Sequence, residues 1–306
     1  MSSLQKAVES YVEMRHALGY KLSDAKTLLL DFASFLKQRR ASFITIPLAL
    51  QWAQQNPAVQ PAYWAKRLTV VRGFARYWSA TDPRTQIPPW GLLPHSPNRA
   101  RPYLYTNKEI QQLLHAAKQL GGFPGLTYYC LFGLLCVTGI RISEALNLRS
   151  ENVDLAAGLL TIRGAKFGKS RLVPIHASTQ TVLSQFVRCR DRAFARELHY
   201  FFVSRRGTRL DGGRVHHTFY KLSRQIGLRG PTDSHGPRLH DFRHRFAVET
   251  LVQWYRSGKD VECLLPVLST YLGHVHVSDT YWYLTACPEL MGLAVKRLER
   301  RWEGQS

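Results

Sequence analysis

The first eighty residues alternate apolar and polar positions with the period of an amphipathic helix. The pattern predicts four helices: one that ends before Gly19, one that begins near residue 23, a short one over residues 48–55 and a longer one over residues 62–79. The face of the second helix that we expect to be buried consists of Leu28, Phe32, Phe35 and Leu36. We therefore predict a small helical domain over residues 1–80.

A proline-rich stretch follows this predicted domain. Residues 81–105 contain six of the 15 prolines and three arginines. Proline fixes φ and lacks a backbone donor, so this density precludes a helix and favours an extended linker. The pattern predicts a basic linker at 81–105 and a second domain over residues 106–306.

The second domain mixes helices with a small sheet. Thr106 followed by Glu109 predicts a capped helix start, and the uncharged run at residues 121–140 predicts a buried helix that ends at Gly139. Two apolar runs joined by GAKFGKS, residues 159–163 and 171–175, predict a β-hairpin. The expected fold class is mainly α with a small β-sheet in the second domain.

The amino-acid composition predicts that the protein binds a polyanion. Lys and Arg number 42 against 21 Asp and Glu, which gives a formal net charge of +21. Such an excess attracts nucleic acid over a wide surface. The hydrophobic fraction of 45% and the seven tryptophans favour a packed globular protein over a disordered basic tail.

Membrane and export features are weak. Residues 121–140 carry no charge, but Pro124 and five glycines interrupt them, whereas a membrane span needs about 20 apolar residues. The five cysteines form no CxxC pair, which is typical of a reducing compartment. The charged N-terminal segment lacks the apolar core of a signal peptide. We expect a cytoplasmic protein without membrane contact.

The stretch LGHVHVSDTYWYL near the C-terminus sets His274 nine positions before Tyr283. A phenol has an ordinary pKa of about 10 and is a poor nucleophile at neutral pH. It attacks a phosphodiester only where its proton is removed and the phosphate charge is neutralised. Cations and imidazoles must therefore converge on a tyrosine with this role.

Three earlier stretches contain such groups. RLHDFRHRF has His240 and Arg243 three positions apart, on one helix face. TGIRISEAL has Arg141 just beyond a glycine, with Glu144 one turn later. The bend of the predicted hairpin contains Lys166.

This ordered set resembles the catalytic set of the tyrosine site-specific recombinases, the phage integrase family. The resemblance covers about residues 105–302 and rests on the combination, because a lone HxxR pattern is common by chance. It implies an N-terminal helical core-binding domain and an α+β integrase-type catalytic domain. The residues it implies as catalytic are Tyr283, the nucleophile, with Arg141, Lys166, His240, Arg243 and His274, and as supporting Glu144 and His244.

The resemblance also implies a reaction. Tyr283 would form a 3′-phosphotyrosyl bond while Lys166 protonates the departing 5′-oxygen, and Arg141 and Arg243 would hold the non-bridging oxygens. No cofactor, metal or ATP is implied. The implied partners are double-stranded DNA at a specific site and a homotetramer at synapsis, with other recombinases as an option. A bacterial, nucleoid-associated location follows.

Other interpretations stay open from the sequence. Lys169 competes with Lys166, and Tyr281 is a rival nucleophile that a helix would point about 200° away from Tyr283. A metal cluster of His240 and His244 with His235 is a further reading, although no cysteine or paired carboxylate completes it and Arg243 between the histidines would repel a cation. The alternative functions are a type IB topoisomerase-like nicking-closing enzyme and a catalytically silent DNA-binding accessory protein. The long stretch between Arg243 and His274, compared with compact Xer-type members, favours integration or transposition of a mobile element.

The sequence also contains candidate residues for contacts with DNA and for a contact with a neighbouring subunit. Basic residues that we expect at phosphates are Lys66, Arg72 and Arg76 on the fourth helix, and Lys169 and Arg171 in the hairpin. An ordinary solvated basic face is the alternative. The last helix has an apolar stripe, which would dock within its own domain or on a neighbouring protomer: Leu290, Leu293, Ala294, Leu298 and Trp302.

Overall fold

The computed structural model describes residues 3–20, 22–94, 102–164, 170–194, 196–233, 235–285 and 287–303. The chain divides into two units, Met1–Ala100 and Arg101–Ser306. Each unit has a hydrophobic core of its own. Lys166 and Lys169 lie outside the described residues.

The first unit confirms the four predicted helices, which are α1 (Ser3–Ala17), α2 (Ser23–Gln38), α3 (Ile46–Ala53) and α4 (Pro61–Trp78). Their apolar faces close over Trp52, which is fully buried. Its indole Nε1 donates to Asp31 Oδ2 at 2.9 Å, and the guanidinium of Arg67 lies 3.9 Å from the ring centroid. The buried indole therefore has both a hydrogen-bond acceptor and a cation on its face.

The proline-rich stretch is only partly a linker. The backbone N–H of Gln86 donates to the carbonyl of Ile44 at 2.8 Å. Arg72 donates from Nε to the carbonyl of Pro88 at 2.7 Å and from Nη2 to that of Pro89 at 2.9 Å. Because proline keeps its carbonyl acceptor, residues 86–89 of this stretch are bonded to the helical part of the first unit. The first unit ends at Ala100, beyond the predicted end at residue 80.

The second unit is mainly helical with a small sheet, which confirms the expected fold class. Its helices are α5 (Asn107–Lys118), α6 (Gly122–Thr138), α7 (Ile142–Leu146), α8 (Ala177–Ala193), α9 (Gly212–Gln225), α10 (Asp241–Arg256), α11 (Val261–Leu272), α12 (Ser278–Tyr281) and α13 (Pro288–Glu303). The antiparallel sheet has the order β1-β2-β3, with strands Val153–Asp154, Leu159–Ile162 and Arg171–Pro174. Leu160 on β2 pairs with Val173 on β3, as the hairpin prediction requires.

The uncharged run forms α6, whose apolar side chains are at the centre of the second core. The helix ends at Gly139, which has φ 61°, a left-handed conformation that glycine adopts without cost. Thr106 and Glu109 form the predicted capping box at the start of α5. In the part of the chain that the structure describes, no helix is both long and apolar enough to cross a bilayer.

We expect Gly139→Ala to destabilise the second unit by about 1–2 kcal/mol or more, because an alanine in the left-handed region is strained. Its Cβ would also lie 2.7 Å from Cδ1 of Phe246. The matched control is Gly133→Ala in the same helix, where the added Cβ meets Leu114 Cδ2 at 3.9 Å. That change should be neutral or stabilise by about 0.5–1 kcal/mol. Calorimetric unfolding of both variants checks this, and equal transition temperatures would contradict it.

Candidate active site

The site is organised around the C-terminal end of α11. Gly273 follows the helix with φ 70°, and its N–H donates to the carbonyl of Thr270 at 2.9 Å. The N–H of His274 donates to the carbonyl of Ser269 at 3.0 Å. These bonds close the helix in the manner of a Schellman motif. The next three carbonyl groups are left for other donors.

Three arginines from distant parts of the chain donate to these three consecutive carbonyls. The bonds are Arg171 Nε to Tyr271 at 2.7 Å, Arg243 Nη2 to Leu272 at 2.6 Å and Arg141 Nη2 to Gly273 at 3.0 Å. A helix C-terminus carries partial negative charge, so it attracts cations. The second terminal nitrogen of Arg243 donates to the carbonyl of Gly139 at 2.9 Å, which joins the ends of α6 and α11.

Glu144 is held by two of these arginines. Its Oε1 accepts from Arg141 Nη1 and Arg171 Nη1, both at 3.0 Å, and its Oε2 accepts from Arg171 Nη2 at 2.8 Å and from the Arg141 N–H at 2.9 Å. Four donors fill the lone-pair directions of the carboxylate. Burial alone would raise the pKa of Glu144, but the bonds and charge of Arg171 and Arg141 leave that pKa lowered.

Tyr283 lies against Arg243. The tyrosine is 2% exposed and the arginine is also 2% exposed. Burial lowers the pKa of Arg243 to about 10, while its charge interaction and side-chain hydrogen bond with Tyr283 act in the opposite direction. The guanidinium therefore stays positively charged at neutral pH. Of the two rival tyrosines, Tyr281 is 52% exposed and ends α12, whereas Tyr283 lies on the 3₁₀ turn Trp282–Thr285 that follows.

His274 is fixed between Tyr283 and a buried hydroxyl. Its Nδ1 lies 2.8 Å from Oγ1 of Thr280, which is fully buried, and its ring is stacked with that of Tyr283 at a centroid distance of 5.9 Å. Burial, followed by the charges of Arg243 and Arg141, lowers the pKa of His274 to about 4. The imidazole is therefore neutral at pH 7.

His240 and His244 extend the ring cluster from the first turn of α10. The two rings contact each other edge to face at 4.7 Å, and His244 lies 5.4 Å from the ring of Tyr283. Burial and then the charge of Arg243 lower the pKa of His240, against the opposing charge of Asp241. The first turn of α10 thus places two imidazoles and Arg243 on the side of the tyrosine.

The family model for the phage integrase family matches residues 104–289, which is more than half of the chain. The chain belongs to the phage integrase family. A putative integrase/recombinase, y4rB of Sinorhizobium fredii (strain NBRC 101917 / NGR234), is 57% identical over the full length of both chains. The tyrosine recombinase XerC of Chlamydia caviae (strain ATCC VR-813 / DSM 19441 / 03DC25 / GPIC) is 28% identical over 85% of this chain and 77% of its own. These relatives identify the chain as a tyrosine recombinase.

Solved structures show the same fold at low identity. A structure of the Tn1549 transposon integrase aligns with a TM-score of 0.69 at 15% identity, and covers 98% of this chain and 99% of that one. A crystal structure of the XerH site-specific recombinase aligns with a TM-score of 0.65 at 18% identity, and covers 89% and 78% respectively. The helical recombinase fold with its small sheet is thus shared by both.

Two of the candidate DNA contacts in this recombinase are corrected by the structure. Arg72 is buried, donates to two proline carbonyls and lies 4.2 Å from the ring centroid of Trp90, so its charge stabilises the first unit from within. Arg171 has a side chain that is 9% exposed, and its guanidinium is bonded to Glu144 and Tyr271. Neither side chain is presented to a solvent-side phosphate.

The other candidate contacts of the recombinase are on its surface. Arg76 is exposed, and Lys66 is half exposed with an ion pair to Asp24 at 3.5 Å. On α13, Leu290 is buried, whereas Leu298 and Trp302 are 47% and 67% exposed. The predicted apolar stripe is therefore covered by its own unit at one end. Within the described ranges, no group of three or more His, Cys, Asp or Glu side chains could hold a metal ion.

Sequence reasoning missed three features of the recombinase site. Thr280, which contacts His274, carries no spacing signal. The contribution of the main chain of α11 was also missed, although Gly273 directly after an apolar helical run is a sign of a helix end whose carbonyls need donors. Trp282, 4.8 Å from the ring of His244, was likewise not assigned.

We expect His274 to titrate near pH 4, because its ring is partly buried and because protonation would place a third cation beside Arg243 and Arg141. Its folded pKa lies below the ordinary 6.5, so the stability it contributes is full above pH 6.5 and declines as the pH falls towards 4. A ¹⁵N-histidine NMR titration measures the midpoint, with His274→Gln to assign the resonance. A midpoint at pH 6 or higher would contradict the burial argument.

Proposed function

We propose that this chain is a site-specific DNA recombinase that cuts and rejoins strands through a 3′-phosphotyrosyl bond on Tyr283, in the integration or transposition of a mobile element. The observation that carries this proposal is the convergence on Tyr283 of Arg243 and His274, with Arg141 bonded to the adjacent turn. These groups come from separate stretches of the chain, and together they meet the requirements of a phenol nucleophile at a phosphodiester.

In the proposed step, the hydroxyl oxygen of Tyr283 attacks phosphorus, the bond from phosphorus to the 5′-oxygen breaks, and the phosphate becomes a tyrosyl ester. Arg141 and Arg243 bind the non-bridging oxygens and stabilise the charge that develops on them. A guanidinium has five N–H donors, so the two main-chain bonds of Arg243 leave donors for a phosphate. The ester conserves the bond energy, so attack by a second 5′-hydroxyl completes strand exchange.

His274 and His240, whose pKa values are both lowered, supply the proton acceptor in this proposal. His274 is neutral at pH 7 and stacks on Tyr283, so it can accept the phenolic proton or relay it. His240 and His244 contact the same site from α10. The proton for the departing 5′-oxygen would come from Lys166, which the family resemblance assigns and which lies outside the described residues. Approach of a phosphodiester requires local opening, because Tyr283 is 2% exposed.

Charge and relatives support duplex DNA as the partner. The formal net charge of +21 favours binding to a polyanion. The Tn1549 integrase of the same fold was solved with transposon right end DNA, and the XerH recombinase with its palindromic difH substrate. Two duplexes with two cleavage sites each need four protomers, and the exposed stripe of α13 offers them an apolar contact. The first unit would serve as the core-binding domain.

We expect Tyr283→Phe to abolish covalent protein–DNA adducts on a nicked suicide substrate while DNA affinity stays within about threefold, because a phenyl ring lacks the attacking oxygen. Tyr281→Phe is the matched control and should still form the adduct, since Tyr281 is largely exposed and two positions away. The substrate is chosen by footprinting DNA that flanks the gene. Relaxation of plasmids of any sequence would favour a topoisomerase, and binding without any adduct would favour an accessory protein.

We expect Arg76→Ala to weaken DNA binding and to reduce the slope of log affinity against log salt by about 1, as loss of one phosphate contact does. Arg76 is exposed on α4, one turn beyond the buried Arg72. Arg72→Ala should instead lower the unfolding temperature, because it removes the bonds to Pro88 and Pro89. Fluorescence anisotropy at several salt concentrations, together with thermal unfolding, separates the two effects. An unchanged salt slope for Arg76→Ala would remove it from the interface.

A further inference from the structure

Arg171 is the first residue of β3 and lies two positions beyond residues 165–169, the segment that contains Lys166. Its guanidinium makes three bonds, two to Glu144 and one to the carbonyl of Tyr271 at the end of α11. The side chain is 9% exposed. Arg171 therefore connects the hairpin to Glu144, which follows Arg141 by three residues, and to the end of α11, which precedes His274 and Tyr283.

The charge balance at Glu144 depends on Arg171. Arg141 is 3.0 Å from the same carboxylate, and a pair of Arg141 and Glu144 alone would be neutral. Such a pair would attract a phosphate weakly, because the carboxylate repels what the guanidinium attracts. Arg171 is the second cation on Glu144, at 2.8 Å, and restores a net charge of +1 to the cluster. Arg141, with 25% of its side chain exposed, is then available to an anion.

The turn after α11 is fitted to the same guanidinium. A Cβ built on Gly273 would lie 2.7 Å from Nη1 and 2.9 Å from Cζ of Arg171. The flat guanidinium thus packs on the bare Cα of Gly273, directly before His274. Movement of Arg171 would change the position of the carbonyl that binds Arg141 and the direction in which His274 leaves the helix.

We infer that Arg171 is a positioning residue for strand cleavage: through Glu144 and the end of α11, it sets the orientation and the effective charge of Arg141 and the place of His274, without contacting DNA. This inference rests on the proposed function, because it assigns a role in the reaction of Tyr283. It also explains why a basic residue stands at this hairpin position while its side chain is withdrawn from the surface.

The test compares Arg171→Met with Arg163→Met. Arg163 is the matched control, since it flanks the same segment from β2, is exposed, and bonds to Asn152 at 2.7 Å instead of to Glu144. Two quantities are measured: the first-order rate of adduct formation at saturating DNA, and the dissociation constant in a Tyr283→Phe background. Arg171→Met should lower the rate about 100-fold with a dissociation constant within threefold, and Arg163→Met should leave the rate within threefold.

A rescue separates positioning from a general structural effect. Arg171→Met leaves the carboxylate of Glu144 to cancel Arg141, so adding Glu144→Gln should recover at least tenfold in rate. Arg171→Lys keeps one charge but cannot span both carboxylate oxygens, so it should lose about tenfold, and it serves as the readout if Arg171→Met does not fold. A dissociation constant that rises as much as the rate falls, or a double variant no faster than Arg171→Met, overturns the inference.

The outcome is separable from that of the proposed function. If the unmodified chain forms no adduct on the substrate, the proposed function fails and the inference with it. If the unmodified chain and Arg171→Met form the adduct at the same rate, the positioning role alone fails. Circular dichroism and thermal unfolding of every variant confirm that the compared chains are folded.

Discussion

Three consecutive carbonyl groups at the end of one helix determine how this site is built. A helix leaves its last carbonyls without partners, and at α11 the main chain satisfies two of them and arginine side chains the next three. The three arginines come from different stretches, which follow one another along the chain in the order Arg141, Arg171 and Arg243. The requirement to satisfy these acceptors brings together cations that would otherwise repel one another.

The site concentrates positive charge, and the carboxylate of Glu144 neutralises only part of it. Two of the three guanidinium groups share the carboxylate of Glu144, and the third, on Arg243, is buried with main-chain carbonyls and Tyr283 as neighbours. Carbonyl dipoles stabilise a buried cation without cancelling its charge, so the site keeps a net positive potential. The low pKa of His274 results from burial first and from this potential second. The same charge that would bind a phosphate therefore keeps the nearby imidazole in its neutral form, in which one ring nitrogen is a hydrogen-bond acceptor.

The sequence correctly predicted those parts of the fold that depend on interactions between residues close together in the chain. The capping box at Thr106, the left-handed helix end at Gly139 and the hairpin of β2 and β3 depend on residues close in sequence. The catalytic candidates were chosen because their sequence stretches occur in the order typical of the tyrosine recombinases. The structure brings Arg141, Arg243, His240, His274 and Tyr283 into one cluster of contacts and charges.

Periodicity could not show which acceptors an arginine meets. Arg72 lies on the same stripe of α4 as Arg76, yet one is buried against proline carbonyls some sixteen residues ahead and the other is exposed. Arg171 was expected at a phosphate because it is a basic residue of the hairpin, but Glu144 and the carbonyl of Tyr271 bind its side chain from within. Both errors have one physical origin. A long cationic side chain goes to whatever oxygen the tertiary structure leaves unsatisfied, and that oxygen is distant in sequence.

The site also divides into a part held mainly by hydrogen bonds and a part held mainly by packing. The arginines are fixed by bonds to the main chain of α11, to the end of α6 and to Glu144, whereas Tyr283 stands on a single 3₁₀ turn and is buried mainly by ring contacts and by the small apolar cluster that includes Leu290 of α13. Electrostatic stabilisation of a transition state depends on groups that do not have to reorganise, while a nucleophile that forms and breaks a covalent bond with DNA must move. Hydrogen bonds to the backbone and to Glu144 hold the arginines, whereas ring contacts, apolar packing and a side-chain hydrogen bond with Arg243 hold the tyrosine. In the proposed reaction, the packing contacts of Tyr283 are the ones that would have to open for it to reach a phosphate.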